Sequence, residues 1–214
     1  EGQAAGKESR VNQGIKLRSE TSQNGDDDKK KDKPESFENK LLDSRQILIE
    51  GPVTDKMYHA ICGRLLYLEH CAPDKEITII VNSPGGSADT GFGIYNLLKF
   101  VSCPIRALCA GMCASAAVLI FLGGDKGRRF MLPHSRFLLH QPSTTTFGTA
   151  SDMEITAREI LRTRQRYAEV VAEEIGSNSD KIMEDSNRDF WLDADECLKY
   201  GLVNKVVKER GEMQ

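Results

Sequence analysis

Ser115 stands in the run Gly111-Met112-Cys113-Ala114-Ser115-Ala116-Ala117, where an apolar strand pattern gives way to a helical one. A serine at a helix N-terminus sits beside free backbone N–H groups and the positive end of the dipole. That position suits a nucleophile whose product is an oxyanion. A simple N-cap role accounts for the same serine, because Ser is a favoured cap. Asn82-Ser83-Pro84-Gly85-Gly86 follows a β-branched run. Its adjacent glycines accept positive φ, and their N–H groups could cradle an oxyanion or hold a peptide in extended form. A plain turn reads the same way.

A serine nucleophile needs a base, and histidine is the usual one because it titrates near neutrality. The chain has four. His59 lies beside Tyr58 in a helical pattern, and His70 falls at the end of that pattern, where a cation favours the dipole. His134 follows Pro133 in a turn. His140 ends the apolar run Phe137-Leu138-Leu139 and precedes Gln141-Pro142. The C-terminal end of a buried strand is where α/β proteins carry function, so His140 is the best base. The carboxylate that would orient it is one of Asp185, Asp189, Asp193 or Asp195. Asp189 adjoins Phe190 and Trp191, expected to form a buried strand, where a carboxylate needs a partner. Composition alone does not choose among the four.

The elements that must position these groups are legible as alternating patterns. Strands are expected at Gln46–Glu50, Ile77–Val81 and Ile105–Cys109, the second β-branched throughout as in a strand buried on both faces. Arg129–Met131 and Arg136–His140 read as a strand pair. Helices are expected from Thr54, a good cap, to about His70, from Ala88 to Phe100, and from near Ser115. A long amphipathic helix is expected over 151–175, with Met153, Ala157, Ile160, Leu161, Val171 and Ile175 on one stripe. A short helix, a strand near Trp191, another helix and the strand Leu202–Val207 complete the series. Strands alternating with helices imply an α/β fold with much parallel sheet.

Residues 1–36 hold few apolar side chains and are expected to be a disordered, charged tail. The folded domain is expected over 37–209, followed by a flexible C-terminus at 210–214. Net charge is −3, and the basic run Lys29-Lys30-Lys31 is offset by Asp26-Asp27-Asp28, so no nucleic-acid footprint is present. None of the six cysteines shows CxxC spacing and no paired His motif occurs, which argues against a metal site and for a reducing compartment. The uncharged run Ala107–Leu122 is shorter than the about 20 residues of a membrane span. Residues 1–20 lack the apolar core of a secretory signal. A cytoplasmic location is expected, or an organelle matrix if a leader has been removed.

Taken together, six segments resemble the Clp protease proteolytic subunit, a serine peptidase of the crotonase-like fold. They are Asn82-Ser83-Pro84-Gly85-Gly86, Gly111 to Ser115, Leu132-Pro133-His134-Ser135-Arg136 with His140-Gln141-Pro142, Ala157 to Leu161, Asp185 to Asp189, and Tyr200-Gly201-Leu202-Val203. The similarity runs from about Phe37 to Val207. It implies repeated β-β-α units with a protruding handle helix. It also implies Ser115 as nucleophile, His140 as base and Asp189 as orienting acid. The N–H groups of Gly85 and Ala116 would form the oxyanion hole, with Gly86, Gln141 and Pro142 at the substrate. No metal or organic cofactor is expected in this subunit. The family's subunits form heptameric rings that stack as a tetradecamer around a chamber, fed by an AAA+ ATPase unfoldase that consumes ATP. Unfolded polypeptides are the implied substrate.

Several positions depart from the family pattern. Ala116-Ala117 stands where Met-Gly is frequent, and Thr144-Thr145 where two glycines are usual. Asn187 replaces an acidic residue that pairs across rings, and the family's apolar axial segment is not recognisable in residues 1–36. The alternative from another class is a non-catalytic or conditionally active scaffold subunit of a mixed ring; such subunits usually lack part of the triad. A crotonase-type acyl-CoA enzyme would share the fold without needing the Ser–His–Asp set.

Overall fold

The structure is a computed structural model and describes residues 37–213. The expected disordered tail over 1–36 lies outside these residues. Alternation of β-branched runs with helical spacing produces a seven-stranded sheet joined through helices. The order is α1 (Phe37–Asp43), β1 (Gln46–Glu50), α2 (Asp55–Cys71), β2 (Ile77–Ser83), α3 (Ala88–Phe100), β3 (Ile105–Ala114) and α4 (Ala116–Leu122). Then come β4 (Arg129–Met131), β5 (Arg136–Leu139), α5 (Ala150–Ile175), α6 (Ser179–Asp185), β6 (Phe190–Leu192), α7 (Ala194–Tyr200) and β7 (Lys205–Val206).

The sheet runs β1-β2-β3-β4-β7, with β5 on β3 and β6 on β5. All pairings are parallel except β5 with β6. β3 outruns its expected end at Cys109 and serves two neighbours in turn. Its first half pairs β4 through Ala107–Cys109 and its second half pairs β5 through Met112–Ala114. Against β2 it carries a bulge, since Val81 faces Cys109 while Ser83 faces Cys113. β4 and β5 therefore flank successive halves of β3 and do not pair with each other, unlike the pair expected from the sequence.

Helix limits follow local chemistry. Thr54 caps α2 by accepting the Met57 N–H. Thr149 and Asp152 make a capping box at the start of α5, and Gly176 ends it in the left-handed conformation. α4 is buried along its whole length, which explains the uncharged run of the sequence without a membrane. Among the described residues no helix is long and apolar enough to cross one. The buried residues of α5 are Tyr167, Ala168, Val171, Ala172 and Glu174, all in its second half. Met153, Ile155 and Leu161 stay exposed, so only the C-terminal part of the expected stripe reaches the core. The expected end of the domain at 209 falls just before a 3-10 helix over Arg210–Met213, whose Met213 is buried against Phe130 and Val207.

The base of α5 is tied in by a buried ion pair. Arg129 on β4 pairs with Glu174 and also donates to the carbonyls of Leu122 and Gly124. Tyr95 Oη donates to Glu174 Oε1 at 2.7 Å, and Lys99 Nζ lies 3.0 Å from the same oxygen. Burial pushes the Glu174 carboxyl up, but hydrogen bonds from Tyr95, Arg129 and Lys99 outweigh it and hold the group below its ordinary value. A depressed carboxyl contributes stability that is present above its unfolded value, about 4.3, and is lost as pH falls through the lower folded value. Glu174→Ala leaves the Arg129 guanidinium buried and unpaired, so it should destabilise the domain by about 3–5 kcal/mol. Denaturant unfolding at pH 7 checks the magnitude, and the difference from wild type should narrow at acid pH.

Candidate active site

Three strand ends converge at the site. β3 ends at Ala114 and Ser115 follows it, while β5 ends at Leu139 and His140 follows it. Ala114 is in register with Leu138, and the Ser115 N–H donates to Leu138 O at 2.9 Å. Parallel pairing thus brings Ser115 and His140 side by side at the C-terminal edge. β6 returns antiparallel on β5 with Leu139 facing Phe190. The next pair outward is His140 and Asp189, which is how a residue far along the chain reaches the imidazole.

Ser115 has φ 56° and ψ −125°, a sparsely populated conformation for a residue with a side chain. Such a conformation costs on the order of 1–3 kcal/mol and persists only where its surroundings over-determine it. Here both flanking peptides are fixed: the Ser115 N–H by Leu138 O, and the Ser115 carbonyl by the Val118 N–H at 3.0 Å. Although Ser115 occupies the N-cap of α4, its hydroxyl makes no capping bond. The cap role does not explain the side chain. A strained serine on a sharp strand-to-helix turn, hydroxyl free, is the geometry of a nucleophile elbow.

Ser115 and His140 line one cleft of about 210 Å³ with Gly86, Phe92, Leu119 and Tyr167. His140 is partly exposed. Its Nδ1 lies 3.7 Å from Asp189 Oδ1, an ion-pair separation longer than a hydrogen bond. Asp189 differs from expectation in its surroundings: its side chain is 66% exposed, not held in a buried strand. Trp191 is exposed as well, with the Arg136 guanidinium stacked 4.4 Å over its ring. β6 pairs on one side only, so it is an edge strand, and its aromatic run reads as buried only if that edge is overlooked.

In the glycine turn the two glycine N–H groups differ in their partners. The Gly85 N–H, expected as a donor to the oxyanion, donates instead to Ser83 Oγ at 3.1 Å. Gly85 O accepts the Val53 N–H at 2.9 Å. In a trans peptide C=O and N–H point oppositely, so the Gly86 N–H faces away from Val53. Among the described residues the N–H groups of Gly86 and Ala116 donate to nothing. Gly86 and Ala116, both lining the cleft, carry the free donors.

Both glycines are required by their contacts. A Cβ on Gly85 would lie 2.5 Å from Ala114 O and 2.6 Å from Ser115 Cβ. A Cβ on Gly86, at φ 153°, would lie 2.4 Å from Val53 O. Gly86→Ala should therefore displace the donor and lower kcat by about 10²–10³-fold, with thermal unfolding checking that the domain stays folded.

Of the remaining expected substrate residues, Pro142 lines the cleft and Gln141 does not. The Gln141 N–H donates to Ser186 O at 2.8 Å, and its amide Nε2 donates to Asn187 O at 2.8 Å. Gln141 ties the loop after His140 to the segment before Asp189. The apolar lining of Phe92, Leu119 and Tyr167 was not singled out from sequence, because each residue reads as ordinary helix interior. Burial without a partner pushes the Tyr167 hydroxyl above its ordinary range.

A larger cleft of about 300 Å³, lined by Ile80, Leu108, Leu132 and Met213, contains no histidine. Among the described residues no cluster of His, Cys, Asp and Glu has the makings of a metal site. All six thiols are free.

The model of the Clp protease family matches residues 29–210. The chain is similar to the ATP-dependent Clp protease proteolytic subunit of Porphyromonas gingivalis, with 39% identity over 170 residues, 79% of this chain and 77% of that protein. It is similar to the ATP-dependent Clp protease proteolytic subunit 2 of Treponema pallidum, with 40% identity over 177 residues, 83% of this chain and 89% of that protein. Among solved structures, a ClpP1 mutant from Listeria monocytogenes matches with a TM-score of 0.77 and 35% identity, covering 82% of this chain and 98% of that one.

Proposed function

This chain belongs to the Clp protease family and is a serine peptidase of crotonase-like fold, in which, we propose, Ser115, His140 and Asp189 carry the reaction. The observation that carries the assignment is the Ser115 turn: positive φ, a hydroxyl free of any cap, and an N–H bonded to the strand that His140 follows. His140 takes the Ser115 proton as Oγ attacks the peptide carbonyl. The N–H groups of Gly86 and Ala116 receive the oxyanion. The tetrahedral centre collapses, the C–N bond breaks, and His140 returns the proton to the leaving amine. Water then hydrolyses the acyl-enzyme by the same route. Asp189 holds the imidazole and stabilises its charged form. Catalytic hydrogen bonds in unliganded sites are often long and tighten with substrate. An exposed Asp189 side chain is free to close the remaining gap.

The substrate is an unfolded polypeptide, cut beside apolar residues that enter the cleft formed by Phe92, Leu119 and Tyr167. No metal or organic cofactor enters this chemistry. The subunit works as the proteolytic part of an ATP-dependent assembly in the cytoplasm, in stacked heptameric rings served by an AAA+ unfoldase. The exposed apolar residues Met153, Ile155 and Leu161 on the free half of α5 support a partner subunit there.

The test is degradation of a permanently unfolded polypeptide beside a stably folded one, with and without the unfoldase and ATP. Short peptides from the unfolded chain, absent with Ser115→Ala, are expected. Degradation that survives Ser115→Ala would contradict the reading.

A further inference from the structure

Ser83 ends β2 with its side chain fully buried. Its hydroxyl donates to Gly51 O at 2.6 Å and accepts the Gly85 N–H at 3.1 Å. A hydroxyl has one proton to give. Donation to Gly51 uses it, and the oxygen is left to face Gly85 as an acceptor. The peptide between Pro84 and Gly85 is fixed by this bond. The next peptide, between Gly85 and Gly86, is fixed by the bond from the Val53 N–H to Gly85 O. On the far side the Ser87 N–H donates to Val53 O at 3.0 Å.

Two adjacent glycines impose almost no conformational preference of their own. A Gly-Gly peptide held at one end only is free to rotate, and rotation would carry the Gly86 N–H out of the cleft. The turn is held from two sides instead, by Val53 on one and by the buried Ser83 hydroxyl on the other. We propose that Ser83 is a positioning residue whose hydroxyl fixes the Pro84–Gly86 turn so that the Gly86 N–H meets the developing oxyanion. This inference rests on the reading of Ser115 as the nucleophile. Ser83 itself touches neither substrate nor the reacting atoms.

An oxyanion donor acts in the transition state, so its misplacement lowers kcat and leaves KM nearly unchanged. The test measures hydrolysis of a fluorogenic peptide with an apolar residue before the scissile bond, using the assembled protein. Ser83→Ala should lower kcat by about 10–10²-fold, less than outright loss of the donor. Binding of a peptide aldehyde, whose adduct oxygen sits in the oxyanion site, should weaken in parallel, while binding of the product peptide should not. Ser83→Thr and Ser83→Val have the same shape and differ in the hydroxyl, so any packing defect is common to both; Thr should exceed Val in kcat by about 10-fold. Equal kcat for Thr and Val, or a Ser83→Ala loss confined to KM, would overturn the positioning role while a dead Ser115→Ala left the peptidase reading intact. Hydrolysis surviving Ser115→Ala would overturn both.

Discussion

Ser115→Ala should lower kcat for peptide hydrolysis by about 10⁶-fold, and His140→Ala should do nearly the same. The double variant should be little worse than either single one. The nucleophile and its base act as a unit, so removing one leaves the other nothing to do. Residual turnover above the water rate should come from the free N–H groups of Gly86 and Ala116 and from binding in the cleft. KM should change little, because neither side chain contributes much to ground-state binding. The fold should survive, since the Ser115 hydroxyl makes no bond. The turn is held by the Ser115 N–H on Leu138 O, which an alanine retains. Steady-state kinetics on the assembled protein, with thermal unfolding as the control, measures both expectations.

The second large effect is at Asp189. Asp189→Asn should lower kcat by about 10³–10⁴-fold. In the proposed triad the carboxylate accepts a hydrogen bond from His140 Nδ1–H, which keeps the proton on Nδ1 and leaves Nε2 unprotonated and able to take the Ser115 proton. An amide that presents its NH₂ group to the ring favours the opposite tautomer. The separation of 3.7 Å and the exposure of the Asp189 side chain place this pair partly in solvent. Water and salt screen such a pair more than a buried one. The loss should thus fall below that of Ser115→Ala. A loss under about 10-fold would mean that another group orients His140.

Much of this site was legible in the residues. The β-branched run Ile77–Val81 and the capping Thr54 mark a parallel α/β sheet and its helices, because burial on both faces and cap chemistry are local properties. His140 is legible because a polar ring closing an apolar strand has few structural uses. The run around Ser115 leaves two readings open, and only the dihedral angles and the unused hydroxyl separate them. Asp189 could be singled out among four aspartates only through resemblance. Its position opposite His140 arises from the antiparallel return of β6 on β5, a long-range pairing that no local pattern encodes.

Which glycine N–H is free to face the cleft is not legible in the sequence for a related reason. Gly85 and Gly86 are identical as residues and differ only in which way each peptide faces. That direction is decided by Ser83 Oγ and by Val53, a neighbour brought in from another segment of the chain. The strand expected around Trp191 forms as β6 but is buried only at Leu192, because aromatic composition does not distinguish a central strand from an edge. On an edge the ring stays partly in solvent and stacks with Arg136. The break in the apolar stripe of α5 has a different origin. Its residues have helical spacing from end to end, but the core ends near Tyr167, and spacing does not reveal where a helix leaves the domain.

The most direct test of the central claim is to label the assembled protein with a fluorophosphonate and map the adduct by mass spectrometry. An activated serine attacks phosphorus, displaces fluoride and keeps a covalent phosphonyl group. The account predicts one adduct, on Ser115, absent from Ser115→Ala and lost with His140→Ala. An adduct on another serine, or peptide hydrolysis by a protein whose Ser115 remains unlabelled at saturating reagent, would contradict it.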